Sequence, residues 1–302
     1  MILVTGASGT VGRLVLDRLP ADLDVRALTR NPSRITTTRP RTDIAQGDYA
    51  DQASLERALR GVRGALLVTN RVTSDDDARF LAAARAAGVQ HIVKLSAAAV
   101  QDPDANDVIT SWQRTNEELL RASGIAWTLL RPRAFMSNTL SWASSIRSEG
   151  VVRALYGTAA NVCVDPRDIA DVAVEALTGS GHHGQAYTLT GPEAVSAVQQ
   201  TGVLARVLGI PLRFEELSPD DAVTAWSLRY PEALAKALLH SAERQRAGAK
   251  REMDPTVSVV TGRPARSYAT WAADHAGSFA ALGGTEWAPE SEPVRSPATG
   301  TA

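Results

Sequence analysis

The stretch ILVTGASGTVGRLVLDRL, residues 2–19, decides the fold. An apolar run at residues 2–5 leads into a turn where Gly6, Gly9 and Gly12 recur at G-x-x-G-x-x-G spacing. Beyond the turn, Val11, Leu14, Val15 and Leu19 recur with the period of a helix that has one apolar face. A glycine triplet is informative when it follows a strand and opens a helix, as here. Gly6 permits the tight turn, Gly9 lets the backbone approach a pyrophosphate, and Gly12 lets the helix pack closely on the strand. Ser8, Thr10 and Val11 complete a loop whose free N–H groups, with the positive end of the helix dipole, face the phosphates. The expectation is a dinucleotide site at the first crossover of a parallel sheet.

The end of the second strand says which dinucleotide. NAD-specific sites place an acidic residue there, about twenty residues after the turn, to bind the ribose 2′-hydroxyl. Here the chain reads ALTRNPSR, with Thr29 and Arg30 at that place and Arg34 near. A carboxylate repels a 2′-phosphate, whereas a guanidinium binds it and stacks on adenine. NADP(H) is therefore expected over NAD(H). Asp48 and Tyr49 end the third strand beside the expected adenine. Thr69 and Asn70 end the fourth, near the ribose and pyrophosphate. Ser96 and Pro132 close the fifth and sixth strands at the same edge, where ligands of parallel sheets bind.

Outward from the opening stretch, strand-like and helix-like pieces alternate. DVRALT, DIAQGD, GALLVT, HIVKLS and AWTLLR read as strands. Helices are expected from Asp51 as N-cap to Leu59, over residues 74–88, and over VITSWQRTNEELLRASG at 108–124. This rhythm predicts right-handed βαβ units and a doubly wound parallel sheet, an α/β architecture covered on both faces. After Pro132 the rhythm loosens. Residues 133–157 read as a helix and loop over the sheet edge. NVCV reads as a strand, DPRDIADVAVEALTG as a helix, QAYTLTG and LRFEEL as strands, and 219–246 as helical. A last helix puts Tyr268, Trp271, His275 and Phe279 on one face. The expected division is a nucleotide-binding domain at 1–133, its sheet completed by parts of 160–190. A smaller α/β substrate or partner lobe at 134–280 and a disordered tail at 281–302 follow.

Composition narrows the function. The formal net charge of −1 with interspersed signs gives no electrostatic case for nucleic acid or an anionic membrane. TTRPRTD reads as a solvated loop. No segment approaches the roughly 18 apolar residues of a membrane span. The start lacks the pattern of a signal peptide, and a lone Cys163, expected to be buried, suits a reducing cytoplasm. Five dispersed histidines without ligand spacing imply no metal.

The series TGASGTVG, ALTRNPSR, QGDYAD, HIVKLSA, LLRASGIAWTLLRPRAFMSN, VCVDPRDIADVAVEAL and YTLTGPEAVS resembles the NmrA-like branch of the atypical short-chain dehydrogenase/reductases, from Met1 to about Phe279. That resemblance implies a Rossmann domain and a small C-terminal lobe with NADP(H) between them. It also implies where chemistry belongs. Reductases of that kind carry a Ser or Thr after the fifth strand and Tyr-x-x-x-Lys on the next helix. Here those positions fall on Ala98, Ile109 and Gln113, with Ser96 slightly earlier. The standard acid is missing.

Ser96, Gln113 and Glu117 remain as candidate catalytic residues. Gln113 can orient a carbonyl but not deliver a proton, and Glu117 can do so only if burial raises its pKa. Ala98, Trp112, Phe135, Asn138 and Tyr156, with Met136, Trp142 and Trp226 nearby, suggest an aromatic wall for a bulky small-molecule substrate. One functional expectation is an NADPH-dependent reductase of a bulky conjugated ketone, enone or quinone. The alternatives are an NADP(H)-sensing regulator that binds a protein partner, and a non-redox enzyme that retains the dinucleotide.

Overall fold

The computed structural model describes residues 1–280; the expected tail at 281–302 lies outside the described residues. The first half runs β1 (Ile2–Val4), α1 (Thr10–Arg18), β2 (Val25–Thr29), β3 (Thr42–Gln46), α2 (Gln52–Leu59), β4 (Gly64–Leu67), α3 (Asp76–Ala86), β5 (His91–Leu95), α4 (Val108–Ala122) and β6 (Ala126–Pro132). Each lies on the stretch whose periodicity predicts it. The helices start at side-chain caps. Asp51 accepts from the Ser54 N–H at α2, and Asp107 accepts from the Ile109 and Thr110 N–H groups at α4.

The second half runs through a 3-10 turn (Met136–Trp142), α5 (Ala143–Glu149), β7 (Val151–Leu155), α6 (Pro166–Thr178), β8 (Gln185–Leu189), α7 (Ala197–Leu208), β9 (Arg213–Leu217), α8 (Pro219–Ser227), α9 (Glu232–Arg246), α10 (Thr256–Thr261), α11 (Tyr268–Asp274) and α12 (Ala276–Phe279).

Seven strands form one sheet in the order β3-β2-β1-β4-β5-β6-β8, with every pairing parallel. The direction of winding reverses between β1 and β4, which opens a crevice at their carboxyl ends. Val4, Val15, Leu66, Val93, Leu130, Val164 and Ile169 join α1 and α6 to one face of the sheet. Leu3, Leu55, Leu67, Phe80, Ile92, Leu120 and Leu129 join α2, α3 and α4 to the other. Burial on both faces is why these strands are continuous apolar runs.

Two expectations need correction. Residues 151–155 were expected within a helix and loop, but they form β7, paired in parallel with β9 from Val151↔Arg213 to Leu155↔Leu217. Gly150, at φ 65°, stops α5, and buried Val151 and Val152 favour the extended chain that follows. NVCV makes only isolated bridges, Asn161↔Val195 and Phe135↔Val164, because its backbone bonds go to loops. Cys163 is nevertheless buried, and burial pushes its thiol up to about 12.

A third cluster, around Met136, Ile146, Val152, Leu204, Tyr268, Trp271 and Phe279, holds the smaller elements together. The expected aromatic face is present: Trp271 stacks on Tyr268 at 5.6 Å and on His275 at 4.5 Å. Arg39, expected in a solvated loop, instead donates to the carbonyls of Leu19 and Leu23 and ties that loop to the end of α1.

A buried charge pair braces the sheet below the crevice. The Lys94 Nζ on β5 lies 2.5 Å from Asp77 Oδ1 in the first turn of α3, and both are sealed from solvent. The Thr69 hydroxyl donates to Asp77 Oδ2 at 2.6 Å and accepts from Lys94 at 3.3 Å. Lys94→Met strands the Asp77 carboxylate, and a loss of about 3–5 kcal/mol in urea unfolding is expected. Adding Asp77→Asn should recover much of that loss; a double variant no more stable than the single one would show that the pair is not coupled.

Candidate functional site

The crevice at the carboxyl ends of β1, β2, β3 and β4 is a cleft of about 810 Å³. Its lining includes Gly6, Ser8, Gly9, Thr10, Val11, Gly12, Arg30, Arg34, Asp48, Tyr49, Thr69 and Asn70. Residues from four strand ends thus meet in one place. The glycine turn is set by contact distance. A Cβ on Gly12 would lie 2.2 Å from the Gly6 carbonyl oxygen, and Gly6 itself has φ +60°. Gly9 is the N-cap of α1 and supplies no side-chain acceptor, unlike Asp51 and Asp107 at their helices. The first-turn N–H groups of α1 are left for a ligand's oxygens. A bare helix start beside glycines that no larger residue can replace fits a diphosphate.

At the end of β2, Arg30 and Arg34 border the cleft from the exposed side, and no side-chain bond within the described residues engages either guanidinium. Asn31 accepts from the Ser33 N–H, and Gln46 donates to the Arg30 carbonyl, which shapes the loop between them. Asp48 accepts from the Ala50 N–H at 2.8 Å. Tyr49 donates its hydroxyl to the Val68 carbonyl at 2.8 Å and so offers the cleft a ring wall rather than a free phenol. Thr69 is held by the Lys94–Asp77 pair. Sequence reasoning missed Thr5, Arg71 and Asp76, which also border the cleft. Thr5 bonds both the Leu66 carbonyl and the Val68 N–H, pinning β1 to β4; Arg71 pairs with Asp76. The basic residue after VTN and the acid run SDDD were the available signal.

Ser96 and Pro132 were expected at the cofactor, yet neither borders this cleft. Ser96 is buried at the end of β5 and donates to Glu117 Oε1 at 2.6 Å. Arg131 on β6 grips the same carboxylate with two bonds, Nε to Oε1 at 2.9 Å and Nη2 to Oε2 at 2.5 Å. Arg121 adds a third at 3.3 Å. Burial alone would raise the Glu117 pKa, but the bonds from Arg131 and Ser96 and the charges of Arg131 and Arg121 outweigh it, and the carboxyl is held below its ordinary value. The condition under which Glu117 acts as an acid is not met. Ser96 spends its only proton on Glu117 and has lone pairs left to accept with. Gln113 is buried beside them with its carbonyl oxygen unpartnered, as is the Asn116 amide nitrogen. No member of this set delivers a proton.

The expected aromatic wall is also dispersed. Of Ala98, Trp112, Phe135, Asn138 and Tyr156, only Phe135 borders the cleft. Trp112 is buried and donates to the Ser74 carbonyl, and Ala98 is buried in a 3-10 turn (Ala98–Gln101). Asn138 is exposed, and Tyr156 lies under the Arg246 guanidinium at 4.4 Å. Met136 and Trp142 belong to the third cluster. Trp112, Met136 and Trp142 are thus engaged in packing within the protein.

Comparison with known proteins agrees with the cleft. The NAD(P)H-binding family model matches residues 6–180. A (4-alkanoyl-5-oxo-2,5-dihydrofuran-3-yl)methyl phosphate reductase of Streptomyces griseus subsp. griseus is 59% identical over 93% of this chain and 99% of its own. An NAD(P)H azoreductase of Xenophilus azovorans is 36% identical over 93% of this chain and 100% of its own. The crystal structure of the Escherichia coli NADPH-dependent quinone oxidoreductase QOR2 with NADPH superposes with a TM-score of 0.79, at 28% identity, over 91% of this chain and 99% of that one. The chain belongs to the NAD(P)H-binding family, among the atypical short-chain dehydrogenase/reductases, and is an NAD(P)(H)-binding oxidoreductase. Among the described residues, no helix is long and apolar enough to cross a membrane.

The Glu117 pair has a pH signature. Because its folded pKa is depressed, its stabilisation is complete above the ordinary glutamate pKa and is lost as pH falls through the folded value. Glu117→Gln should cost on the order of 3 kcal/mol at neutral pH and progressively less on acidification below about pH 4. Urea melts from pH 3 to 7 measure this; a penalty independent of pH would mean that packing, not charge, is what the substitution removes.

Proposed function

We propose that this chain is an NADPH-dependent reductase of a carbon–carbon double bond conjugated to two carbonyls, such as that of a (4-alkanoyl-5-oxo-2,5-dihydrofuran-3-yl)methyl phosphate. The observation that carries this reading is that, among the described residues, the set around Ser96 holds no acid at neutral pH: Glu117 is a carboxylate gripped by Arg131 and Gln113 is an amide. Bound NADPH supplies a hydride. In such a furanone the ring carbon bearing the phosphomethyl group accepts it. The electron pair then settles on the neighbouring carbon, between the lactone and ketone carbonyls. That anion is a delocalised enolate, basic enough to take a proton from water and stable enough not to need an acid in the transition state. An isolated ketone, whose alkoxide must be protonated as it forms, suits this site poorly.

The chain's own residues then bind and orient. The first turn of α1 holds the diphosphate, and Arg30, with Arg34 beside it, takes the 2′-phosphate. Ser96 directly follows Leu95, which borders the cleft, and with its hydrogen on Glu117 it has only lone pairs to offer a ligand. Phe135 covers the ring's end of the cleft. The similarity to a furanone phosphate reductase, an azoreductase and a quinone oxidoreductase supports the reading, since furanones, azo compounds and quinones all accept hydride into a conjugated system.

The test follows the reduced-cofactor absorbance with the furanone phosphate, with an isolated aryl ketone for contrast. Turnover of the first, with product saturated at the ring carbons, is expected. Tight binding of NADPH without consumption across both substrates sinks the proposal. Arg30→Asp should weaken NADPH binding by about 10- to 100-fold and leave NADH binding within about twofold. Equal losses for both dinucleotides in calorimetry would show that Arg30 does not read the 2′-phosphate.

A further inference from the structure

Beyond β6 the chain gathers positive charge that the dinucleotide does not use. Arg133 directly follows the end of β6, and its Nε is buried without a hydrogen-bond partner. Arg244, on α9, is 8% exposed; it pairs with Asp102, yet its Nε is also buried and unpartnered. Lys250, four residues beyond the end of α9, donates to the Ser241 hydroxyl at 2.6 Å. Backbone bonds gather the segments: the Arg133 N–H donates to the Leu189 carbonyl at 2.9 Å, the Gly191 N–H to the Val162 carbonyl, and the Val162 N–H to the Lys250 carbonyl at 3.1 Å. Burial, then the charges of Arg244 and Arg133, push the lysine ammonium down to about 8.

The local carboxylates are few. Asp102 is engaged by Arg244, and Asp107 is bound to the start of α4 through two N–H groups and the Thr110 hydroxyl. Glu252 acts on Arg133 only from a distance, without a bond. A buried N–H without an acceptor has lost its water and gained nothing in return, and the loss is larger when it carries charge. Retaining two such groups beside a partly discharged lysine is expensive unless an anion arrives.

Arg133 adjoins the cleft in sequence. Phe135, two residues after Arg133, borders the cleft, and the Asp102 loop begins just after Ser96. Arg114 fixes that loop by donating to the carbonyls of Val100 at 3.1 Å and Ala105 at 2.7 Å. In the sheet β6 stands four places from β2. At strand spacing that is about 19 Å from the Arg30 end, too far for the same phosphate to serve both. An occupant must offer only acceptors, carry about two negative charges and lie beside the reacting ring. A phosphate monoester does all three.

We propose that Arg133, Arg244 and Lys250 form the subsite that binds the phosphate monoester of the substrate. The assignment rests on the furanone phosphate reading for its biological ligand, but its chemistry is separately measurable. Calorimetry on the full chain saturated with NADP+, so that the cofactor's own sites are filled, uses phenyl phosphate at constant ionic strength. Wild type should bind it, and Arg133→Met and Lys250→Met should each weaken binding about 10- to 100-fold. Equal binding by wild type and both variants, or none by wild type, overturns the subsite. Kinetics then compare the furanone phosphate with its hydroxymethyl analogue. The preference of wild type for the phosphate, as a ratio of kcat/KM, should collapse by the same factor in each variant; a preserved ratio overturns the subsite while leaving the reductase in place. Loss of phenyl phosphate binding in the variants, with no furanone turned over by any form, supports the subsite and removes the furanone reading instead.

Discussion

The structure turns on the distance between Gly12 and the carbonyl oxygen of Gly6. With no Cβ on Gly12, α1 sits directly against the turn leaving β1; with one, an atom would lie 2.2 Å from that oxygen. The close approach puts the bare start of α1 over the reversal in strand order, where no side chain competes for its N–H groups. The rest of the cleft is assembled around that point. Thr5 pins β1 to β4, Tyr49 walls one side, and the ends of β2 and β3 supply the rim.

What departs from the usual reductase is the far end of the site. Ile109 and Gln113 stand on α4 where the resemblance to reductases leads one to expect a Tyr and a Lys, and the charged residue one turn later is turned away from acid chemistry. Glu117 is bonded to Ser96, Arg131 and Arg121 at once, so it organises the site as a permanent anion. Such a carboxylate fixes the direction of the Ser96 hydroxyl, and hence which partner Ser96 can have. On the proposed reading the protein would position two reactants and leave proton supply to solvent and to substrate acidity, which would favour acceptors whose reduced form is a stabilised anion.

Most of this was legible where information is local. Strand runs, glycine stops and aspartate caps are each written within a dozen residues, and apart from NVCV the strands and helices they predict are present. Illegible features join distant segments. Arg131 and Glu117 meet because neighbouring β6 and α4 pack together, and nothing in the spacing of VITSWQRTNEELL reveals that partner. Lys94 reads as an oddity in an apolar strand until Asp77 is seen across the layer. β7 needs β9, about sixty residues on, and the cations at 133, 244 and 250 converge only after α9 folds back. Aromatic residues misled for the converse reason: periodicity cannot tell a core tryptophan from a ligand wall.

The burial of Cys163 bears on the hazards of this chemistry. Conjugated enones and quinones are alkylating agents toward thiolates, and an enzyme concentrating them beside a reactive sulfur would consume itself. Here the single thiol is buried, accepts a contact from Gln200, and is kept protonated well above physiological pH. Under the proposed function, the protein's one thiol would thereby be withdrawn from the electrophiles it meets.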